Sequence, residues 1–170
     1  MSALVSVDWV RLMARYGAWQ NEGHMEAVAA MGDDALRRPR GAFFGSIMGT
    51  LNHLLWADRI WMHRLAGTER PPGGIGESVD LTPDASEWRR LRIGTDASTL
   101  EWADGLADAD LAGDLTWHSG VLGRDISKPR ALCVAHLFNH QTHHRGQVHA
   151  MMTAAGVSLR DTDIPFMPDP

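Results

Sequence analysis

The sequence predicts an all-α protein, a four-helix bundle formed by a single domain over residues 1–170. Three observations lead there. Four stretches repeat apolar residues at the 3.6-residue period of a half-buried helix. Every proline falls outside those stretches. Four amphipathic helices in a chain of 170 residues suit one bundle with one hydrophobic core.

The first helix is predicted from Ser6 to about Met31. Trp9, Leu12, Met13, Tyr16 and Trp19 recur at i, i+3, i+4, i+7 and i+10. Ser6 or Asp8 offers the N-cap. Gly32 with the Asp33-Asp34 pair reads as its stop, and residues 37–41, with Pro39, as a connector. The second helix spans about Ser46 to Ala66, lined by Thr50, His53, Leu54, Ala57 and Trp61, with Ser46 as cap and Gly67 as terminator. Residues 67–84, with two adjacent prolines and four glycines, form a long loop between helices two and three. Loops of that length inside a bundle are commonly functional. The third helix follows Pro83 and runs to about Leu106, carried by Trp88, Leu91, Thr95, Thr99, Trp102 and Leu106. Residues 113–128 alternate differently around Gly120 and Gly123 and predict a short extended excursion or hairpin. The fourth helix begins after Pro129, runs to about Ala155 and is closed by Gly156. The remaining tail, with three late prolines, reads as an irregular strap.

Composition narrows the function classes. A formal net charge of −5 argues against a general nucleic-acid binder. No apolar run is long enough to span a membrane, and the N-terminal residues lack the basic-then-apolar order of a signal peptide, so a cytoplasmic protein is expected. The single cysteine, Cys133, excludes an internal disulfide and any CxxC metal site, and reads as inert packing. No GxGxxG, phosphate loop or internal repeat is present.

The chemistry is concentrated in the last helix. His136, His140 and His144 stand four residues apart, on one face, with Gln147 near the same line. This face carries imidazoles where an ordinary core carries leucine. Buried polar rings need partners, and a divalent metal ion satisfies several at once. HExxH is absent, because Gln141 follows His140. A third ligand has to come from another helix, and His53, interior by pattern, is the best candidate. Spacing alone leaves two pairs open, His136 with His140 and His140 with His144. His143 points about 60° away from His140. His24, His63, His118 and His149 read as rim or solvent imidazoles.

Other residues carry a functional and a plain reading side by side. Asn21, Asp58 and Gln147 are candidates to orient ligand rings, against ordinary interhelix hydrogen bonding. Arg145 is a candidate for binding an anionic substrate, against pairing with an acid such as Asp58. Asn21 and Arg145 are the two candidates for a catalytic role beyond the metal. Tyr16, Trp19, Trp56 and Trp61 wall a pocket or simply fill the core.

Several blocks together resemble the DinB/YfiT-like superfamily of metal-dependent bacterial enzymes. They are YGAWQN at 16–21, GSIMGTLNHLLWADRIWMHRL at 45–65, HLFNHQTHHRGQVHAMM at 136–152 and DTDIPFM at 161–167. The resemblance implies a four-helix bundle with a metal centre held by three histidines, here His53, His140 and His144. That chooses between the two pairs, and leaves His136 to packing or to supporting a ligand. It also implies a homodimer, and in some branches a thiol-dependent S-transferase or isomerase acting with a low-molecular-weight thiol.

The leading expectation is therefore a metal-dependent enzyme in which a divalent ion, zinc or nickel, activates a thiol or water for transfer or hydrolysis of a small-molecule substrate. A non-catalytic metal-binding stress-response protein is the alternative, and a metal-free bundle of hydrogen-bonded histidines the plain reading.

Overall fold

The computed structural model describes residues 4–169. Helix α1 covers Val7–Ala30, and the Ser6 hydroxyl caps it by accepting from the Trp9 amide at 3.1 Å. The chain does not simply stop at Gly32. A short helix α2, Asp33–Arg37, follows. Asp33 and Asp34 sit in its first turn, where acids complement the helix dipole, and buried Leu36 anchors it to the core. The acidic pair is thus a start signal where a stop was expected.

Helix α3, Ile47–Ala66, begins at Ser46, which accepts from the Gly49 amide at 3.0 Å, and ends on Gly67 at φ 70°. Helix α4, Ala85–Gly105, is capped by Asp84 accepting from the Glu87 amide. Strands β1, Asp114–Ser119, and β2, Arg124–Pro129, pair antiparallel, with Trp117 opposite Ile126. Helix α5, Arg130–Ala154, completes the bundle. No helix among the described residues is long and apolar enough to cross a membrane.

Around the bundle, α1 packs on α4 and α5, and α3 packs on the same two. The long helices that follow each other as α1–α3 and as α4–α5 therefore face each other diagonally. Each diagonal step is covered by a long connection, residues 31–46 and 106–129. The arrangement makes α3 and α5 neighbours, which places the two histidine-bearing helices side by side.

The core is divided along the bundle axis. One apolar cluster, near the hairpin, joins Val10 and Met13 of α1, Met62 and Leu65 of α3, Ala103 of α4 and Val134, Leu137 and Phe138 of α5. The other, at the opposite end, joins Met25 and Val28, Met48 and Leu51, Trp88, and Val148 with Met152. Between them every long helix contributes buried polar groups: Asn21 and His24, Asp58, Arg92, and Gln141 with Arg145.

The tail runs back along α1. Tyr16 Oη donates to the Thr162 carbonyl at 2.7 Å, and Gln20 Nε2 to the Asp161 carbonyl at 2.9 Å. Arg160 pairs with Glu22 and Glu26.

Candidate metal centre

His53 sits in the middle of α3 and is 2% exposed. His140 and His144 lie one turn apart on α5. One nitrogen from each of the three rings falls within 4.8 Å of the others. His53 Nε2 and His140 Nε2 are 3.3 Å apart. Two imidazoles bound at ~2.0–2.1 Å to a tetrahedral ion would set their nitrogens about 3.4 Å apart, so this pair already has that spacing.

The second nitrogen of two rings is held in place. Ser78 Oγ donates to the Ile75 carbonyl at 2.7 Å, so it is free to accept from His53 Nδ1–H at 2.9 Å. Gln147 Oε1 accepts from His144 Nδ1–H at 2.8 Å, while the Gln147 amide nitrogen donates to His143 Nε2 at 3.2 Å. Both contacts keep the proton on Nδ1 and leave Nε2 as a bare lone pair. His140 has no such anchor; its Nδ1 is buried and unpartnered. Burial, with the neighbouring His144, lowers the His53 pKa to about 4. Burial and the surrounding histidines lower that of His140 to about 3. His144 is lowered by burial against the opposing Gln147 bond. All three rings are thus neutral near neutral pH, each offering one nitrogen to a cluster within 4.8 Å. The donor set fits a divalent transition-metal cation.

The long loop over 67–84 is what builds this support. Asn52, fully buried beside His53, donates to the Val79 carbonyl at 2.9 Å and accepts from Thr82 Oγ1 at 2.7 Å. Trp56 Nε1 donates to the Pro72 carbonyl at 3.0 Å. Asn52 thus fastens the loop that carries Ser78 to His53. On the other side Phe44 stacks on the His53 ring, centroids 3.7 Å apart and planes 19° apart. Gly49 permits that approach, because an added Cβ would collide with the Phe44 carbonyl. Farther along α5, the ring centroid of His136 lies 5.6 Å from that of His140 and 5.2 Å from that of Trp61 on α3.

The other sequence candidates are engaged elsewhere. Asn21 Nδ2 donates to Asp96 at 2.9 Å. Asp58 pairs with Arg92 at 2.6 Å, which corrects the Arg145–Asp58 pairing; Arg92 also meets Asp96 at 2.7 Å. Burial raises the Asp96 carboxyl while Arg92 opposes the rise. Arg145 lies over the Tyr16 ring, 5.3 Å from its centroid, and reaches Gln141 at 3.5 Å. Of the three candidates to orient a ring, Gln147 does so, and Asn21 and Asp58 belong to the buried polar layer. Tyr16 binds the tail, and Trp19 packs against the core near the hairpin. His24 is no rim imidazole: it is 4% exposed, and burial, then Arg145, lowers its pKa to about 3. Cys133 is buried and free. Ser78 and Phe44 were not singled out in the sequence; the serine's only signal was its place in a loop too long to be a plain connector.

A diagonal four-helix bundle with three clustered imidazoles that could hold a metal ion is the class of protein that the fold and site define. The chain belongs to the DinB family, whose family model matches residues 1–170. Among solved structures it is similar to a DinB-like protein from Bacillus cereus ATCC 10987, with 19% identity, a TM-score of 0.60, and coverage of 84% of this chain and 90% of that one. It is also similar to YfiT from Bacillus subtilis, with 18% identity, a TM-score of 0.58, and coverage of 89% and 87%. That protein is described as "a probable metal-dependent hydrolase with an unusual four-helix bundle topology". At these identities the likeness establishes the fold. No curated protein matches the sequence.

Proposed function

We propose that the protein is a metal-dependent enzyme whose His53, His140 and His144 hold one divalent cation, zinc or nickel, and whose chemistry is hydrolysis or transfer to a thiol. The observation that carries the reading is the tautomer control: Ser78 and Gln147 hold protons on the outer nitrogens of His53 and His144, leaving their inner nitrogens free to ligate. A bound ion of this kind supplies Lewis acidity, lowering the pKa of a coordinated water or thiol toward neutrality. The protein supplies three neutral donors and a Phe44 wall that shields one side of His53. Three protein ligands leave room for a small molecule, which favours catalysis over a purely structural ion. The description of YfiT as a probable metal-dependent hydrolase supports the hydrolytic form. The family resemblance supports the thiol form and a homodimer.

The test begins with protein purified without nickel affinity. Its metal content is measured alongside H53A, H140A and H144A. One equivalent in the wild type and loss in each variant is expected. Zinc- and nickel-loaded protein is then assayed against ester and amide substrates, and against electrophiles with low-molecular-weight thiols. Metal binding without turnover in any arm would favour the non-catalytic alternative. Light scattering measures the expected dimer.

A further inference from the structure

Beyond the histidine triad, a row of side-chain rings on α3 and α5 leads to Arg64 on α3. The Arg64 guanidinium lies over the Trp61 ring at 4.7 Å and over the Trp117 ring at 5.3 Å, and those two indoles meet edge to face at 5.4 Å. Trp117 comes from β1, so the hairpin provides one wall of this clip. Trp61 also touches His136, which touches His140. A continuous line of rings therefore runs from the triad to the guanidinium.

Among the described residues no carboxylate forms an ion pair with Arg64; Arg15, Arg38, Arg40, Arg70, Arg89, Arg124, Arg130 and Arg145 form none either, but of these arginines Arg64 is the one that lies over two indoles. Burial, and then the nearby cation Arg70, lowers the Arg64 pKa. A net-negative chain has thus left a half-buried positive site at one end of this row of rings. Both indoles lie on the same side of the guanidinium, since their centroids are only 5.4 Å apart, and this leaves in-plane N–H groups for bidentate recognition of carboxylate or phosphate.

We infer that Arg64, held by Trp61 and Trp117, is an anion-binding subsite for the far end of the substrate, so that the ligand is an elongate small molecule with an apolar middle and a terminal carboxylate or similar anionic group. This rests on the reading of the triad as the reacting end. Two helical turns separate His53 from Trp61, about 12 Å along the axis, and the Arg64 side chain leans back over Trp61 toward the triad. The apolar middle lies along Trp61 and His136, and the anionic end meets Arg64.

The experiment uses 4-phenylbutyrate and its uncharged amide as probes of the full-length protein. Calorimetry gives the affinities, and the Arg64 Nε–Hε resonance reports the contact. The carboxylate is expected to bind about tenfold more tightly than the amide and to shift that resonance. R64Q is expected to lose the preference while keeping the amide's affinity. H140A removes a triad ring and is expected to keep the preference, which separates this subsite from the metal reading: loss of metal with the preference intact still supports it. Equal affinities for the two probes, no saturable binding of either, or an undiminished preference in R64Q would overturn it.

Discussion

Ser78 Oγ stands 2.9 Å from His53 Nδ1, and the two residues come from different parts of the fold, a loop turn and the middle of a helix. The serine spends its own proton on Ile75, so it acts toward the imidazole only as an acceptor. S78A would free the His53 ring to rotate and to exchange tautomers. Metal affinity is expected to fall about 10- to 100-fold, the usual effect of removing a partner behind a ligand. The melting temperature of the metal-free protein should move little beyond the loss of two hydrogen bonds, about 1 kcal/mol each. Competition titration against a chelator measures the first, and thermal denaturation the second.

Gly49 is the sequence feature that admits Phe44 to the site. In G49A the new methyl meets a backbone carbonyl, which has nowhere to go without moving residues 42–45. Overpacking of this kind costs about 1–3 kcal/mol. The expected signature is a destabilised protein in which the His53 ring resonances shift, because the stacked phenyl has been displaced. An unchanged His53 spectrum would show that the loop holds its place by other means.

The Asp58–Arg92 pair is almost fully buried, with side chains 1% and 2% exposed. Removing Arg92 strands Asp58 and takes the cation from Asp96, whereas removing Asp58 leaves Arg92 paired with Asp96. R92A is expected to lose about 3–5 kcal/mol and D58A less, while a double replacement by apolar residues of similar volume recovers part of the R92A loss. Urea unfolding of the single and double variants makes the comparison. A single variant as stable as wild type would show that water reaches the layer.

His24 predicts an acid limb in the stability curve. Its pKa drops from 6.5 to about 3 on folding, through burial and the nearby Arg145, His149 and Arg92. The unfolded chain therefore binds a proton that the folded chain refuses between those values. The contribution is fully present above pH 6.5 and is lost progressively as pH falls toward 3. Each such histidine steepens the limb by up to about 1.4 kcal/mol per pH unit. H24L should unfold with uptake of one proton fewer in that window, read from stability measured as a function of pH.

Much of the fold was legible because its signals are local. Ser6, Ser46 and Gly67 mark helix ends by their own chemistry, and Pro129 marks the start of α5. His53, His140 and His144 were legible as interior imidazoles at helical spacing, and the resemblance picked the pair on α5. What was not legible depends on how the helices are arranged. Asp58 gives no sign in sequence that its cation is Arg92 on α4, because that choice follows from which helices are neighbours. Asn52 looked like part of a motif, but its task, fastening the loop that brings Ser78 to His53, appears only once the loop is folded over α3. His24 looked peripheral because a histidine in an alanine- and glycine-rich stretch carries no apolar stripe of its own. Asp33 and Asp34 suit the end of one helix or the start of the next, and burial of Leu36 decides between them.

The charged layer between the two apolar ends has one more effect, on alignment. A bundle with uninterrupted hydrocarbon inside can slide a helix by one turn at little cost. Here such a slip would push Arg92 or Arg145 against methionine and leave Asp58 opposite leucine. The salt-bridged belt acts as a vernier mark that the four rods must match. Only at that setting do positions 53, 140 and 144 come abreast.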